Sequence, residues 1–455
     1  MAEQTIVVEE REKRVKLNSW KSTAIKDPNL VIKRWIWAYF LLLIFEGALR
    51  KWVLPGLSTP LLVIRDPIAI YIIYLVWQKG LLPKTIYLWG MVIIALISCI
   101  ATMTVGHGSL PVTIFGARIL LFHFPLMFAM GRIFNQDDVI KLGRFVLWLS
   151  IPMIVLIALQ FYSPQSAFVN RGVGGDTAGA GFSGAMGFFR PPGTFSFTNG
   201  NSLFFGFLAP FVIWFWLNSK HINKIVLILA SGALMASVPF SISRSLLGTI
   251  GVSGIFAFLA TIRNGKYASK MIMAGIALGI TLMILSQISV FQTAINAFSS
   301  RFESASKYEG GVSGSFFGRY IGGYLQPFKD LDQQPFFGYG IGMGTSAGSQ
   351  LLTGKVSYLI AEDEWGRLVG EMGPLLGLGA ILIRIGFCVM VFVLGYKKMA
   401  AGDLLPWMLI SFGLLIVLKG QWAQPTSLGF STLLGGLILG SLRNSEDVPL
   451  DVNKV

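Results

Sequence analysis

Arg118, Arg190, Arg244 and Arg319 stand in or beside strongly apolar stretches, with no acidic residue at helical spacing to neutralise them. A guanidinium is planar, charged at neutral pH and donates through a fork, so it suits bidentate phosphate binding better than an ammonium does. Holding an ionised side chain at mid-bilayer costs at least about 2.5–3.5 kcal/mol. A chain that carries several such groups toward one side therefore reads as binding something charged there. A phosphate-bearing lipid headgroup fits, and so does a structural lipid. A second set is acidic. Glu362, Asp363 and Glu364 are consecutive and lead into Arg367 and Glu371. A carboxylate within hydrogen-bond reach can take the proton of an attacking hydroxyl, and adjacent acids repel, which raises at least one pKa. A solvated acidic loop tip explains the same run. Glu46–Arg50 and Arg367–Glu371 are each four apart, the spacing of an ion pair along one helix. His123 reads as a hydrogen-bonded packing residue, and Arg384 as a side chain snorkelling toward the cytoplasmic surface.

The elements that must position these residues are membrane helices. The chain has 455 residues, 54% of them hydrophobic and 13% charged, with a net charge of +15. Apolar spans are expected at about 35–54, 61–77, 86–104, 112–131, 145–163, 199–217, 225–240, 246–262, 271–290, 366–394, 404–418 and 428–442. Most lysines and arginines fall in alternate connections, so both termini are expected in the cytoplasm. The basic charge then reflects loops facing anionic lipid and not nucleic acid. Cys99 and Cys388 lie inside spans and three histidines are scattered, which gives neither a disulfide framework nor a metal site. The polar, basic start lacks an apolar core and a small-residue cleavage site, so no signal peptide is expected.

The resulting organisation is a basic tail (1–34), nine spans (35–290, including an outward loop at 164–198), a large outward segment (291–365), three spans (366–442) and a tail (443–455). In the large segment Phe317, Tyr320, Ile321, Tyr324, Leu325 and Phe328 recur at three- and four-residue spacing, which predicts an amphipathic helix. Gly338, Gly340, Gly342 and Gly344 alternate without a preceding strand. That favours a tight turn or a backbone nest for an anion over a dinucleotide loop.

Four stretches resemble the O-antigen ligase and polymerase superfamily of bacterial envelope glycosyltransferases. They are RPPGTFSFTNGNS at 190–202, SRSLLG at 243–248, GRYIGGYLQPFKDLDQQPFFGYGIGMGT at 318–345 and AEDEWGRLVGEMGPLLGLG at 361–379. They cover roughly a fifth of the chain and appear in family order. The resemblance implies an all-α polytopic membrane protein of about 12 transmembrane helices with a large periplasmic loop, of the C-type glycosyltransferase kind. It implies transfer or polymerisation of an undecaprenyl-pyrophosphate-linked oligosaccharide at the periplasmic face of the inner membrane, onto a glycan or lipid-core acceptor. No nucleotide sugar, cofactor or metal enters, direct displacement inverts the anomeric carbon, and other polysaccharide-assembly proteins are conceivable partners. By motif match Arg190, Arg244 and Arg319 hold the donor pyrophosphate and Glu371, assigned to positioning, is the glutamate that closes the last motif. Arg118 and Arg367 join the pyrophosphate-binding candidates by their place among the outward charges. Glu362–Asp363 stand where many members have histidine and asparagine, so a carboxylate replaces the histidine as candidate base. A lipid-linked glycan transporter and a non-catalytic scaffold of a secretion complex are the alternatives.

Overall fold

The computed structural model describes residues 27–218, 222–308, 331 and 334–443. It is helical apart from one two-stranded hairpin. Among the described residues nine helices are long and apolar enough to cross a membrane, which makes the protein polytopic. In chain order the helices are α1 (Leu30–Ala48), α2 (Arg65–Gln78), α3 (Ile86–Thr104), α4 (Leu110–Ile133) and α5 (Gln136–Tyr162). The hairpin β1 (Phe182–Ala185) and β2 (Phe188–Arg190) precedes α6 (Thr198–Leu217), α7 (Lys224–Ser241), α8 (Arg244–Arg263), α9 (Ala268–Gln287) and α10 (Ser289–Tyr308). The chain ends with α11 (Ser346–Thr353), α12 (Glu364–Ala400), α13 (Leu405–Lys419) and α14 (Pro425–Ser441).

Local chemistry fixes several of these boundaries. Asn135 and Asp138 form a reciprocal capping box at the start of α5. Ser243 caps α8 by accepting from the Leu246 amide, and Asp363 caps α12 by accepting from the Gly366 amide. Prolines open α13 and α14, where the missing N–H is not needed. Helices α4 and α14 meet through glycine: a Cβ on Gly435 would lie 1.8 Å from Met127 Sδ, and one on Gly131 would lie 2.3 Å from Leu439 Cβ. Small residues let helix backbones approach closely where water provides no hydrophobic drive.

Hydrogen bonds sort the helix ends into two groups, as alternating basic loops predict. At one end, here the tail end, Lys79 donates to the Pro28 carbonyl, Lys33 pairs with Asp138, Gln136 donates to Asp403, and Asn264 donates to the Met399 carbonyl. At the opposite, loop end, Trp52 donates to the Phe168 carbonyl, the His107 amide to Tyr339, Arg190 to Ser241 and Trp365 to Leu418.

Two expectations change. The span expected at 366–394 is not one helix. Gly373 sits at φ 76°, ψ 172° and Pro374 follows it, so α12 breaks there. A Cβ on Gly377 would lie 2.7 Å from Val369 Cα, so residues 364–372 fold back against the long segment 374–400 as a re-entrant helix. Irregular backbone at membrane depth is tolerated when protein surrounds it, and here the Phe336 carbonyl lies 2.1 Å from where a Gly373 Cβ would stand. Secondly, part of the segment expected as loop from 291 is the helix α10. The amphipathic helix expected over 317–328, and with it Arg319, lies outside the described residues.

Candidate functional site

Measured at 1.5 Å per residue from the tail ends of their helices, Glu46, Arg65, Arg118, Arg384 and Pro425 all stand about 20–24 Å along the bundle. They form one polar layer. Arg65 Nε lies 3.0 Å from Glu46 Oε2, and Arg65 Nη2 donates to the Pro425 carbonyl at 2.6 Å. Arg50 reaches the other Glu46 oxygen at 3.4 Å and also donates to Ser196 Oγ. Arg118 has an acidic partner after all: its Nη1 lies 2.7 Å from Asp66 Oδ2, across helices. Helical spacing within one stretch could not reveal that pair, which engages Nη1 of Arg118. His123 is buried with Nε2 3.5 Å from Asp66 and Nδ1 3.3 Å from the Arg118 carbonyl, which is the packing role expected of it.

The re-entrant helix carries its own charge network. Arg367 donates to both oxygens of Glu364, at 3.1 and 2.8 Å, and to Glu371 Oε2 at 2.5 Å. Glu371 Oε1 accepts from the Gly344 amide at 2.9 Å. The alternating glycine run therefore does cradle an anion, and the anion is the protein's own carboxylate. Gly338, Gly340 and Gly342 all have positive φ there, and a Cβ on Gly342 would meet the Val112 carbonyl at 2.1 Å. Arg384 does not snorkel. It is fully buried, with Nη2 2.8 Å from Glu364 Oε1 and its guanidinium 4.0 Å from the Trp422 ring centre. The fold-back at Gly373 is the reason, because it brings Glu364 down to the level of Arg384. Arg367, expected beside the pyrophosphate, is held between two carboxylates and buried.

The three consecutive acids separate in role. Glu364 is buried in the network, where it also accepts from the Trp422 amide at 2.9 Å. Asp363 is spent on the helix cap, 2.8 Å from the Gly366 amide. Glu362 is exposed. Its main-chain carbonyl accepts from Gln421 Nε2 at 3.0 Å, and among the described residues its carboxylate has no hydrogen bond or ion pair.

The arginines of the middle third do converge in part. Arg190, at the end of β2, donates to the Ser241 carbonyl at 3.3 Å. Burial pushes its guanidinium down to about 10, and the charges of Arg301 and Arg244 add to the shift. Three cations from three elements thus share one neighbourhood. Arg244 opens α8, just after Ile242, which turns the chain between α7 and α8 at φ 46°. Arg301, on α10, donates to the Ser183 and Gly184 carbonyls of β1 at 3.4 and 3.1 Å. Arg301 was missed from the sequence, although Phe291, Ala294, Phe298 and Phe302 mark its helix at three- and four-residue spacing. The hairpin is pinned by Phe188, whose ring stacks on Phe161 at 4.5 Å. The turn after Arg190 is clamped by Lys51, which donates to the Gly193 carbonyl at 2.7 Å, and by Thr194, which donates to Ile44.

The first turn of α6 joins the arginines to the acids. Ser202 donates to Ser243, beside Arg244, at 3.0 Å. One turn away Asn199 donates to Ser427 at 3.2 Å and to Gln424 at 3.4 Å, Gln424 donates to Gln421 at 2.7 Å, and Gln421 donates to the Glu362 carbonyl. This amide relay was not anticipated either, because its members lie far apart in the chain. Among the described residues no group of three or more His, Cys, Asp or Glu is placed to hold a metal ion. No protein-family model matches the chain, and no curated protein matches it.

Proposed function

We propose that the protein is a membrane glycosyltransferase that takes glycan from an undecaprenyl-pyrophosphate-linked oligosaccharide and transfers it to an acceptor hydroxyl, as an O-antigen or exopolysaccharide polymerase or ligase. Among the described residues α1, which carries Lys33, Arg34 and Glu46, and the shorter α13 and α14 stand beside the nine long apolar helices, which supports the twelve-span reading. Basic residues at the tail end support a reading with both tails in the cytoplasm and the loop end outside the bacterial inner membrane.

The observation that carries the reading is the convergence of Arg190, Arg244 and Arg301 at the loop end, tied through α6 to an exposed, disengaged Glu362. The charges of Arg301 and Arg244 add to the burial that pushes Arg190 down, and a lipid pyrophosphate placed among the three offsets that repulsion. Fixed guanidiniums then stabilise the charge that grows on the departing pyrophosphate more than they stabilise the ground state. Glu362 takes the proton of the acceptor hydroxyl, the oxygen bonds to the anomeric carbon, and the carbon–oxygen bond to pyrophosphate breaks with inversion. Asp363 and Glu364 hold the segment instead of competing for that proton, and Glu371 positions Arg367 against the glycine turn.

The test is to supply the purified protein with a lipid-linked oligosaccharide and resolve the products by size. Ladders, or transfer to an added acceptor, with release of the lipid pyrophosphate are the expected result. Unchanged donor under conditions where it binds would rule the enzyme reading out.

A further inference from the structure

Arg384 is a buried charged side chain that the proposed chemistry leaves unused. It lies in the long segment of α12, eleven residues past the break at Gly373, and is 0% exposed. Its guanidinium contacts Glu364 at 2.8 Å and stacks on Trp422 at 4.0 Å. Trp422 donates its amide to the other oxygen of Glu364, and its neighbour Gln421 holds the Glu362 carbonyl. Trp365 is tied to the Leu418 carbonyl at 3.1 Å. Three pieces of chain, at 362–365, 384 and 418–422, therefore meet at one carboxylate, two residues from Glu362.

The charges at this junction balance. Glu364 and Glu371 face Arg367 and Arg384, all buried. Without Arg384 a single guanidinium would serve two carboxylates, and an uncompensated buried charge drives local rearrangement. The segment best able to move is the re-entrant helix 364–372, because it hangs from a glycine at one end and from the stretch around the exposed Glu362 at the other.

We propose that Arg384 is a positioning residue: through Glu364 it latches the re-entrant helix to the transmembrane bundle and so fixes where Glu362 presents its carboxylate. The assignment of Glu362 rests on the glycosyltransferase reading, whereas the latch itself does not. Arg384 acts from beneath the site and touches neither donor nor acceptor.

The experiment uses the full-length protein in lipid nanodiscs, as wild type, Arg384→Met, Arg384→Lys, Glu364→Gln and the Arg384→Met/Glu364→Gln double variant. Hydrogen exchange over residues 364–372 reads the latch, and kcat and KM with a lipid-linked oligosaccharide read its consequence. In Arg384→Met, exchange in 364–372 should rise about tenfold or more while α13 and α14 keep wild-type protection. Turnover should fall about 10²-fold with KM nearly unchanged, as for a misplaced catalytic group. The double variant restores charge balance and should regain most of the protection, and Arg384→Lys should fall between. If Arg384→Met does not fold, the double variant against Glu364→Gln alone carries the comparison. Wild-type exchange in 364–372 of Arg384→Met, or protection lost equally throughout α12 to α14, overturns the latch. Absence of product from the wild type removes the glycosyltransferase reading and leaves the exchange result to decide the latch alone.

Discussion

Asp66 and Arg118 approach from different helices to 2.7 Å, and both are largely shielded from solvent. The pair decides what Arg118 does. Removing one partner of a buried pair costs about 3–5 kcal/mol because the other charge is left uncompensated. Arg118→Ala should therefore lower thermal stability in detergent, and Arg118→Ala/Asp66→Asn should recover most of the loss. If the double variant is stable yet has lost donor binding, Arg118 belongs to the anion site in spite of its partner.

Arg190, Arg244 and Arg301 should each matter to the donor. A charge-assisted hydrogen bond contributes about 1.5–3 kcal/mol, so lysine at any one position should weaken lipid-pyrophosphate binding about 10–100-fold while the fold survives. Arg301→Lys is the sharpest of the three, since Arg301 lies outside the four stretches that carry the resemblance. Full affinity in Arg301→Lys, measured by fluorescence with a labelled donor, would take α10 out of the site.

The protonation of Arg190 gives a linked prediction. Its guanidinium is pushed down to about 10, first by burial and then by Arg301 and Arg244. The protonated form binds the anion, so a bound pyrophosphate raises that value. Binding near pH 10 should then take up protons, whereas binding at pH 7 should not, and affinity should fall as pH rises through about 10. Calorimetry in buffers of different ionisation enthalpy measures the uptake. Arg244→Gln, which removes one repelling neighbour, should move the fall to higher pH.

Glu362→Gln should leave donor binding intact and lower turnover about 10²–10⁴-fold, the range for general-base catalysis. Asp363→Asn should leave turnover close to wild type and cost at most about 0.5–2 kcal/mol, because its role is the cap. Equal turnover in wild type and Glu362→Gln would return the proton to Asp363 or to water.

The difference between these two acids could not be read from their sequence positions. Three adjacent carboxylates look alike until the break at Gly373 decides which one turns inward. The break itself was legible, because a Gly-Pro pair inside an apolar run is a known interruption, yet the run was read through as a single span. Helix alternation was readable because it depends only on local hydropathy and loop charge. The pairs Asp66–Arg118 and Glu364–Arg384 were not, since each joins segments whose meeting depends on how the whole bundle packs. Arg190 and Arg244 were accessible for the opposite reason: their lack of nearby acids is a local property.

Gly373 offers a test of the fold-back. Its φ of 76° with ψ of 172° belongs almost wholly to glycine, and other residues there cost about 1–3 kcal/mol. Gly373→Ala adds a Cβ 2.1 Å from the Phe336 carbonyl as well. The variant should be destabilised beyond that range, and a cysteine placed at Glu362 should react with maleimide at an altered rate. A wild-type melting temperature would mean that residues 364–372 do not fold back as described.

The pairing of Glu46 with Arg65 bears on biogenesis. Each of the two helices would enter the bilayer with an ionised group, at about 2.5–3.5 kcal/mol apiece at mid-depth, and α1 carries Lys33 and Arg34 besides Glu46. At 3.0 Å the two charges neutralise each other. Helices α1 and α2 are thus suited to leave the insertion machinery together, as a hairpin, instead of one at a time. Arg65 then donates to the carbonyl of Pro425, at the start of the last helix. That bond can close only when synthesis is nearly complete, so the first hairpin to be inserted waits for the last helix before Arg65 gains its main-chain acceptor.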